Sequence, residues 1–423
     1  MKKHLLALSA AAVLLAPQAV GAEGFSINEW SAEGFAMGGA RMFAENDAAN
    51  LAFNPAAMTK IEGEKAKVTL AYISPHGKWD ADPSRLGGMA GYTAPQSGHN
   101  RVHPAIVPGL YYVKQLNDKE WFGMGTFTRF GNMCQFERDS IVASSAFSSR
   151  MNGTSLAMNY ARKHDNKWST SIGAEINYVG LQLDKNLGGP NMRGPVHIEG
   201  TTWALGWNAA ANYEFDDKNE FGVVYRSKVK HSMEGNYDAY GIAATGIPGV
   251  APGFGSEGDA YGVVTLPESW MLGYGHKFND KTRVELNATW TRWSRFDAFD
   301  MLMTPVGGTS MLVKQPQQWN DGWRYAIGIE HKLSDKYTVM AGIAHDERGI
   351  PDDYASFMVP TGERDTYTLG LQYNDKKQTI AVGLGYMDVG DLNMRSHGTQ
   401  SYENAKMHDS YTKIVVLSYQ YNF

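Results

Sequence analysis

The 423-residue chain holds a single cysteine, Cys134, which excludes a disulfide scaffold and any cysteine-based zinc or iron–sulfur centre. Beyond its N-terminus it has no run of ~18 apolar residues, and with a mean hydropathy of −0.38 it is too polar for a bundle of membrane-spanning helices. It also lacks an excess of one charge. Lys and Arg number 39 against 44 Asp and Glu, and a pI near 6.2 argues against a nucleic-acid partner. Catalytic signatures are missing as well: there is no G-x-S-x-G and no H-E-x-x-H. His99 and His103 stand four apart in a Pro/Gly-rich loop without a third ligand, so no metal site is expected. Gly253-Phe254-Gly255-Ser256-Glu257-Gly258 spells G-x-G-x-x-G, but it follows a Pro-Gly loop and opens no helix, so no nucleotide site is expected either. No enzyme activity and no cofactor follow from these residues.

What is present is an export label and a repeating pattern. Lys2 and Lys3 precede an apolar stretch from Leu5 to Leu15, then Pro17 and the small residues Val20-Gly21-Ala22. This reads as a cleaved signal peptide over residues 1–22, too short to span a bilayer. Aromatic residues make up 12% of the chain, which argues against disorder.

Downstream, apolar and polar residues alternate with period two. Val284, Leu286, Ala288 and Trp290 alternate with Arg283, Glu285, Asn287 and Thr289, and the C-terminal run from Tyr411 to Phe423 does the same. One face apolar and one face polar is the pattern of a transmembrane β-barrel, with lipid outside and a polar lumen. Tight turns recur at Asn117-Asp118-Lys119, Asp165-Asn166-Lys167, Asp216-Asp217-Lys218, Asn279-Asp280-Lys281, Ser334-Asp335-Lys336 and Asn374-Asp375-Lys376. Asn and Asp suit such turns because they tolerate left-handed backbone and bond their own chain. Six short turns and seven long Gly/Pro/Met-rich loops predict 14 strands, near 65–76, 104–116, 119–131, 152–163, 167–183, 201–214, 219–232, 264–278, 281–297, 315–333, 336–346, 365–374, 378–388 and 409–423. The expected fold is all-β: a 14-stranded antiparallel transmembrane barrel over 63–423, with its longest loop at 233–263. The Ala/Gly-rich segment 23–62 precedes the first strand and does not alternate. Trp30, Phe35, Phe43 and Phe53 make it costly to leave in water, so it is expected to plug the lumen as a hatch.

These residues resemble the FadL/TodX family of outer-membrane transporters for long-chain fatty acids and aromatic hydrocarbons. The resemblance rests on Glu23-Gly24-Phe25-Ser26-Ile27-Asn28-Glu29, on Asn54-Pro55-Ala56, on Tyr225-Arg226-Ser227 with Val229, His231 and Gly235, on Leu266-Pro267-Glu268-Ser269-Trp270, on Trp290 to Phe296, and on Trp319 to Gly328. It covers essentially the whole chain after the signal. It implies a monomer that takes hydrophobic ligands from outer loops to a lumen pocket near the hatch, then releases them through a wall gap at a kinked third strand. It further implies contact with outer-membrane lipid and lipopolysaccharide, and with the barrel assembly machinery during biogenesis.

The resemblance also singles out residues. Asn54, Pro55 and Ala56 match the hatch motif, where Asn54 is expected to be extended because proline follows it. Gly131 falls where the family's strand is kinked, and Gly123 and Gly125 on the same strand also suggest a bend. Lys185 and Lys314 match basic ligand-contacting positions, and Phe25 is expected to close the pocket. Asp346, Glu347 and Arg364 are expected to pair structurally. The function expected is passive uptake of hydrophobic small molecules, foremost long-chain fatty acids. An aromatic-hydrocarbon channel of the same build, a non-transporting structural or adhesion barrel, and a general aqueous porin stay open as alternatives.

Overall fold

The computed structural model describes residues 24–84, 94–187, 194–239, 257–306, 309–396 and 400–423. The signal segment 1–22 and the middle of loop 233–263, with most of its G-x-G-x-x-G run, lie outside the described residues. Fourteen strands form the wall: β1 (Glu64–Pro83), β2 (Ala105–Asn117), β3 (Glu120–Gln135), β4 (Ser148–Lys163), β5 (Trp168–Leu187), β6 (Gly194–Glu214), β7 (Asn219–Arg226 continued as Val229–Ala239), β8 (Glu257–Leu266 continued as Ser269–Asn279), β9 (Thr282–Thr291), β10 (Gly322–Lys332), β11 (Tyr337–Asp346), β12 (Arg364–Asn374), β13 (Gln378–Val389) and β14 (Tyr402–Asn422). Each pairs antiparallel with its sequence neighbour. The ring closes where Lys65 to Pro83 of β1 pair with Asn422 to Tyr402 of β14. Closure joins the first strand to the last, which is the condition for crossing a membrane with strands. Short hairpin strands at Ser97–His99, Met301–Pro305, Met311–Val313 and Leu392–Arg395 decorate the end with long loops. Several wall strands run further toward that end than the alternation predicts, and the predicted strand 281–297 stops at Thr291, before a 3₁₀ turn at Trp293–Arg295.

The alternation sorts as the lipid–lumen pattern requires. On β14 Leu417, Tyr419 and Tyr421 are exposed outward, while Ile414, Val416, Ser418 and Gln420 are buried inward. On β1 Val68, Leu70 and Tyr72 face out, and Lys67, Thr69 and Ala71 face in. An exposed apolar belt around a closed sheet is a lipid contact surface. All six short turns use one device, a side-chain oxygen accepting from a backbone N–H two residues on. The pairs are Asn117 with Lys119, Asp165 with Lys167, Asp216 with Lys218, Asn279 with Lys281, Ser334 with Lys336 and Asp375 with Lys377.

The segment before β1 fills the lumen. Helix α1 (Ala32–Ala36) is capped by Ser31, whose hydroxyl accepts from the Gly34 N–H at 3.0 Å. Helix α2 (Asn50–Phe53) leads through Asn54 into a 3₁₀ helix, Pro55–Lys60. Wall glycines admit these helices. A Cβ at Gly123 would meet the Met58 sulfur at 2.5 Å, one at Gly275 the Phe43 ring at 2.8 Å, and one at Gly342 the Met37 backbone at 2.1 Å. Gly123 and Gly125 therefore serve close packing against the hatch, rather than a bend of β3.

Charge holds the hatch in place. Buried Lys67 of β1 bonds Glu33 at 2.9 Å and Asp47 at 2.7 Å. Arg41 bonds Asp47 at 3.2 Å and Glu330 of β10 at 2.6 Å. Burial alone would raise the Asp47 carboxyl, but Lys67 and Arg41 outweigh it and hold it at about 2. A depressed carboxylate stabilises the fold fully above the free aspartate range, near pH 4, and loses that contribution as pH falls through about 2. Replacing Lys67 by Met leaves buried Glu33 without its cation and Asp47 with Arg41 alone, and should cost about 3–5 kcal/mol at neutral pH. The deficit should narrow as pH drops below ~4 and Asp47 takes up its proton. Urea unfolding in detergent at a series of pH values measures both effects.

Candidate functional site

Among the described residues the wall ladder is interrupted between β2 and β3. From Asn117↔Glu120 to Leu110↔Thr126 the two strands pair, with one irregularity between Gln115 and Asn117 beside the turn. Beyond that rung, Ala105 to Gly109 pair only with β1, and the upper half of β3 pairs on its other side with β4. The segment before β2 touches β3 again where the Arg101 N–H donates to the Gln135 carbonyl at 2.7 Å. Between the two rungs lies a window in the barrel wall.

The window follows from a β-bulge. The β3–β4 register shifts between Thr128 and Phe130, so Arg129 is the extra residue. Both Arg129 and Phe130 are buried toward the lumen. The backbone groups that β2 leaves free on β3 are taken by the hatch. The Ile27 N–H donates to the Arg129 carbonyl and the Gly131 N–H to the Phe25 carbonyl, each at 2.9 Å. Ser26 forms an antiparallel bridge with Phe130.

A cavity of about 550 Å³ adjoins the window. Phe25, Ile27, Met133, Met151 and Met387 line it from inside, and Ile106 and Pro108 of β2 line it from the wall. Ile106 is 68% exposed on the lipid face. The volume lies in the range of small-molecule pockets, and the lining is mainly apolar with few polar groups. Arg364 and His76 supply cationic or titratable groups at its edge. Arg364 lies 3.6 Å from Asp346, whose other partner, Arg324, is closer at 3.1 Å. Buried Glu29 also lies within the electrostatic reach of Arg364.

The predicted site residues fall into three places. Phe25 lines the cavity and is caged by Phe130, Trp293, Phe296 and Trp319, with ring centroids 4.7–5.9 Å away. Asn54, Pro55 and Ala56 lie deep in the hatch. Asn54 is extended, its side-chain oxygen accepts from the Ala56 N–H, and its amide donates to the Met42 carbonyl and, at 2.6 Å, to Asn212 of β6. Gly131 borders the window, but the irregularity is at Arg129, two residues earlier, where a charged residue in a strand pattern gives no bulge signal. Lys185 is not beyond the fifth strand but within β5, on the lumen-facing side with Val179 and Leu183. No carboxylate among the described residues pairs with it. Lys314 is exposed beside the Met311–Val313 hairpin. Neither lysine lines the cavity. Of the residues expected to pair structurally, Arg364 does stand at ion-pair distance from Asp346, but it also reaches the cavity, which its place on β12 could not reveal.

The sequence profile described as outer membrane protein transport protein (OMPP1/FadL/TodX) matches residues 12–423. The long-chain fatty acid transport protein of Escherichia coli strain K12 is 25% identical over 417 residues, covering 90% of this chain and 91% of that protein. Among solved structures, a Pseudomonas aeruginosa FadL homologue superposes with a TM-score of 0.86 at 21% identity, over 95% of this chain and 100% of that one. The P. putida toluene transporter TodX superposes with a TM-score of 0.70 at 19% identity, over 94% and 99%.

Because Phe25 is caged on one side and borders open space on the other, Phe25→Ala should cost about 3 kcal/mol, the low end for a buried phenylalanine. Phe25→Leu should cost roughly 1 kcal/mol. Denaturant midpoints of the purified barrel measure the two.

Proposed function

The chain belongs to the OMPP1/FadL/TodX family of outer membrane transport proteins, and from that premise we propose that it carries long-chain fatty acids passively across the outer membrane and releases them sideways through the β2–β3 window. As a member of that family it is an outer-membrane transporter of hydrophobic substrates, and the family is one of transporters rather than enzymes. One observation carries the finer reading. A single cavity is lined by hatch and lumen residues and also by the outward-facing Ile106 and Pro108. An apolar ligand in that cavity is in reach of lipid without crossing water, and burial of its chain in the bilayer drives the step downhill. The filled lumen supports this path over an aqueous porin, since Phe43, Ala48, Leu51 and Met58 of the hatch are fully buried inside the wall.

Arg364 at the cavity edge favours a carboxylate ligand over a neutral aromatic one, because a guanidinium offers a two-pronged match to a carboxylate. Lys185, inward and above the hatch, suits an earlier contact on the way in. Lys314, exposed on the outer hairpin, suits the first. Phe25 belongs to the hatch end that borders the cavity, the Asn54-Pro55-Ala56 turn ties the hatch to β6 deeper in the lumen, and Gly131 at the window edge gives its N–H to Phe25.

The test is a clamp. In the ladder's register Pro108 and Thr128 would face each other if the window closed, and both border it. Pro108→Cys with Thr128→Cys, in a Cys134→Ser background, should abolish oleate uptake when oxidised and restore it when reduced. Uptake that ignores the clamp would sink the lateral route. In a separate comparison at matched surface level, Arg364→Leu should weaken oleate binding about tenfold or more, the worth of a charged hydrogen bond. Toluene uptake, if the native protein supports it, should not change.

A further inference from the structure

Two arginines in the lumen share one carboxylate. Glu175 of β5, Arg129 of β3 and Arg226 of β7 are all buried. Arg129 Nη1 lies 3.1 Å from Glu175 Oε2, and Arg226 Nη1 donates to Oε1, which also accepts from the Asn208 amide at 2.8 Å. The other arm of Arg226, Nη2, donates to the Ala52 carbonyl in helix α2 of the hatch. Each guanidinium lies over aromatic rings, Arg129 at 5.1 Å from the Phe130 centroid and Arg226 at 5.2 Å from that of Phe127.

This trio meets the window at one point. Arg129 is the bulge residue itself, and its carbonyl holds Ile27 of the hatch. A regular strand would send residue 130 outward and let β2 continue its ladder upward. Arg129 keeps the inward direction it shares with Phe127, and the bulge turns Phe130 inward beside it. The bulge residue is thus itself an inward cation, and at this depth its partner is Glu175. None of the three residues lines the large cavity.

We propose that Glu175 is a positioning residue for ligand exit. Through Arg129 it holds the β3 bulge that keeps the window open, and through Arg226 it keys that bulge to the hatch. The proposal rests on the lateral-exit reading above. Loss of the Arg129 link releases the bulge, lets β2 and β3 pair further up, and closes the window, while the cavity keeps its lining. Arg129→Gln is the cleaner variant, because Glu175 and Arg226 then remain as a one-to-one pair. Glu175→Gln leaves two buried cations without a partner and should destabilise the barrel besides.

The experiment compares wild type, Arg129→Gln and Arg129→Lys at matched surface level. It reads uptake of labelled oleate by cells and binding of labelled oleate to purified protein in detergent. It also reads the rate at which a disulfide forms across the window when Pro108→Cys and Thr128→Cys are added to each form in a Cys134→Ser background. Arg129→Gln should lose at least tenfold in uptake, bind oleate within twofold of wild type, and form the disulfide faster. Arg129→Lys should restore much of the uptake. Wild-type uptake and wild-type crosslinking in Arg129→Gln would overturn the proposal. So would binding lost together with uptake, since the trio would then shape the cavity. If the oxidised clamp leaves uptake intact, the exit reading has failed on its own, whatever Arg129 does.

Discussion

Everything in this fold answers to one constraint: inside a bilayer, no backbone N–H or C=O can turn to water. The ring from β1 to β14 satisfies it by pairing each strand with two neighbours and closing on itself. Where the ladder fails, between β2 and β3, Phe25, Ser26 and Ile27 of the hatch step in and pair with β3. The same requirement governs the hatch. Its helices are only a few residues long, so most of their end groups have no partner within the helix. Wall side chains supply partners near those ends and along the backbone between the helices: Ser418 accepts from Ala32, Glu285 from Met42 and Gln420 from Ala48, while Arg324 donates to Gly38 and Arg283 to Phe43.

This exchange explains why so polar a lumen is stable. The inward face of each strand carries residues that would be costly in an ordinary core. Here they meet the exposed backbone of a compact plug, and their charges close among themselves in chains such as Glu33, Lys67, Asp47, Arg41 and Glu330. The apolar cluster that remains lies higher, around Phe25, Phe130, Trp293 and Trp319, next to the cavity. Polar packing below and aromatic packing above leave the ligand space where hatch, window and loops converge.

Much of this is legible in the sequence. The period-two alternation and the six Asx or Ser turns carry the strand count, because each is a local signal written in adjacent residues. The plug is legible from its aromatic residues, which must be covered by something. Arg129 is not legible. In a strand an inward arginine and an outward one look the same, and only the register with β4 reveals the extra residue. Arg364 reads as a wall ion pair from its neighbours in sequence, yet the cavity it borders draws on β1 to β4, β13, β14 and a loop near Val359. Lys185 reads as lying past the end of its strand because alternation fades where the barrel rises above the bilayer, although the hydrogen bonding continues to Leu187.

The pairing of Phe25 to Ile27 with β3 has a consequence for the break in the wall ladder. The hatch terminus takes the backbone groups of Arg129 and Gly131 that β2 leaves free, so β3 keeps its bonds there although its neighbour in the wall has let go. For β3 the break is thus a change of partner rather than a loss of one.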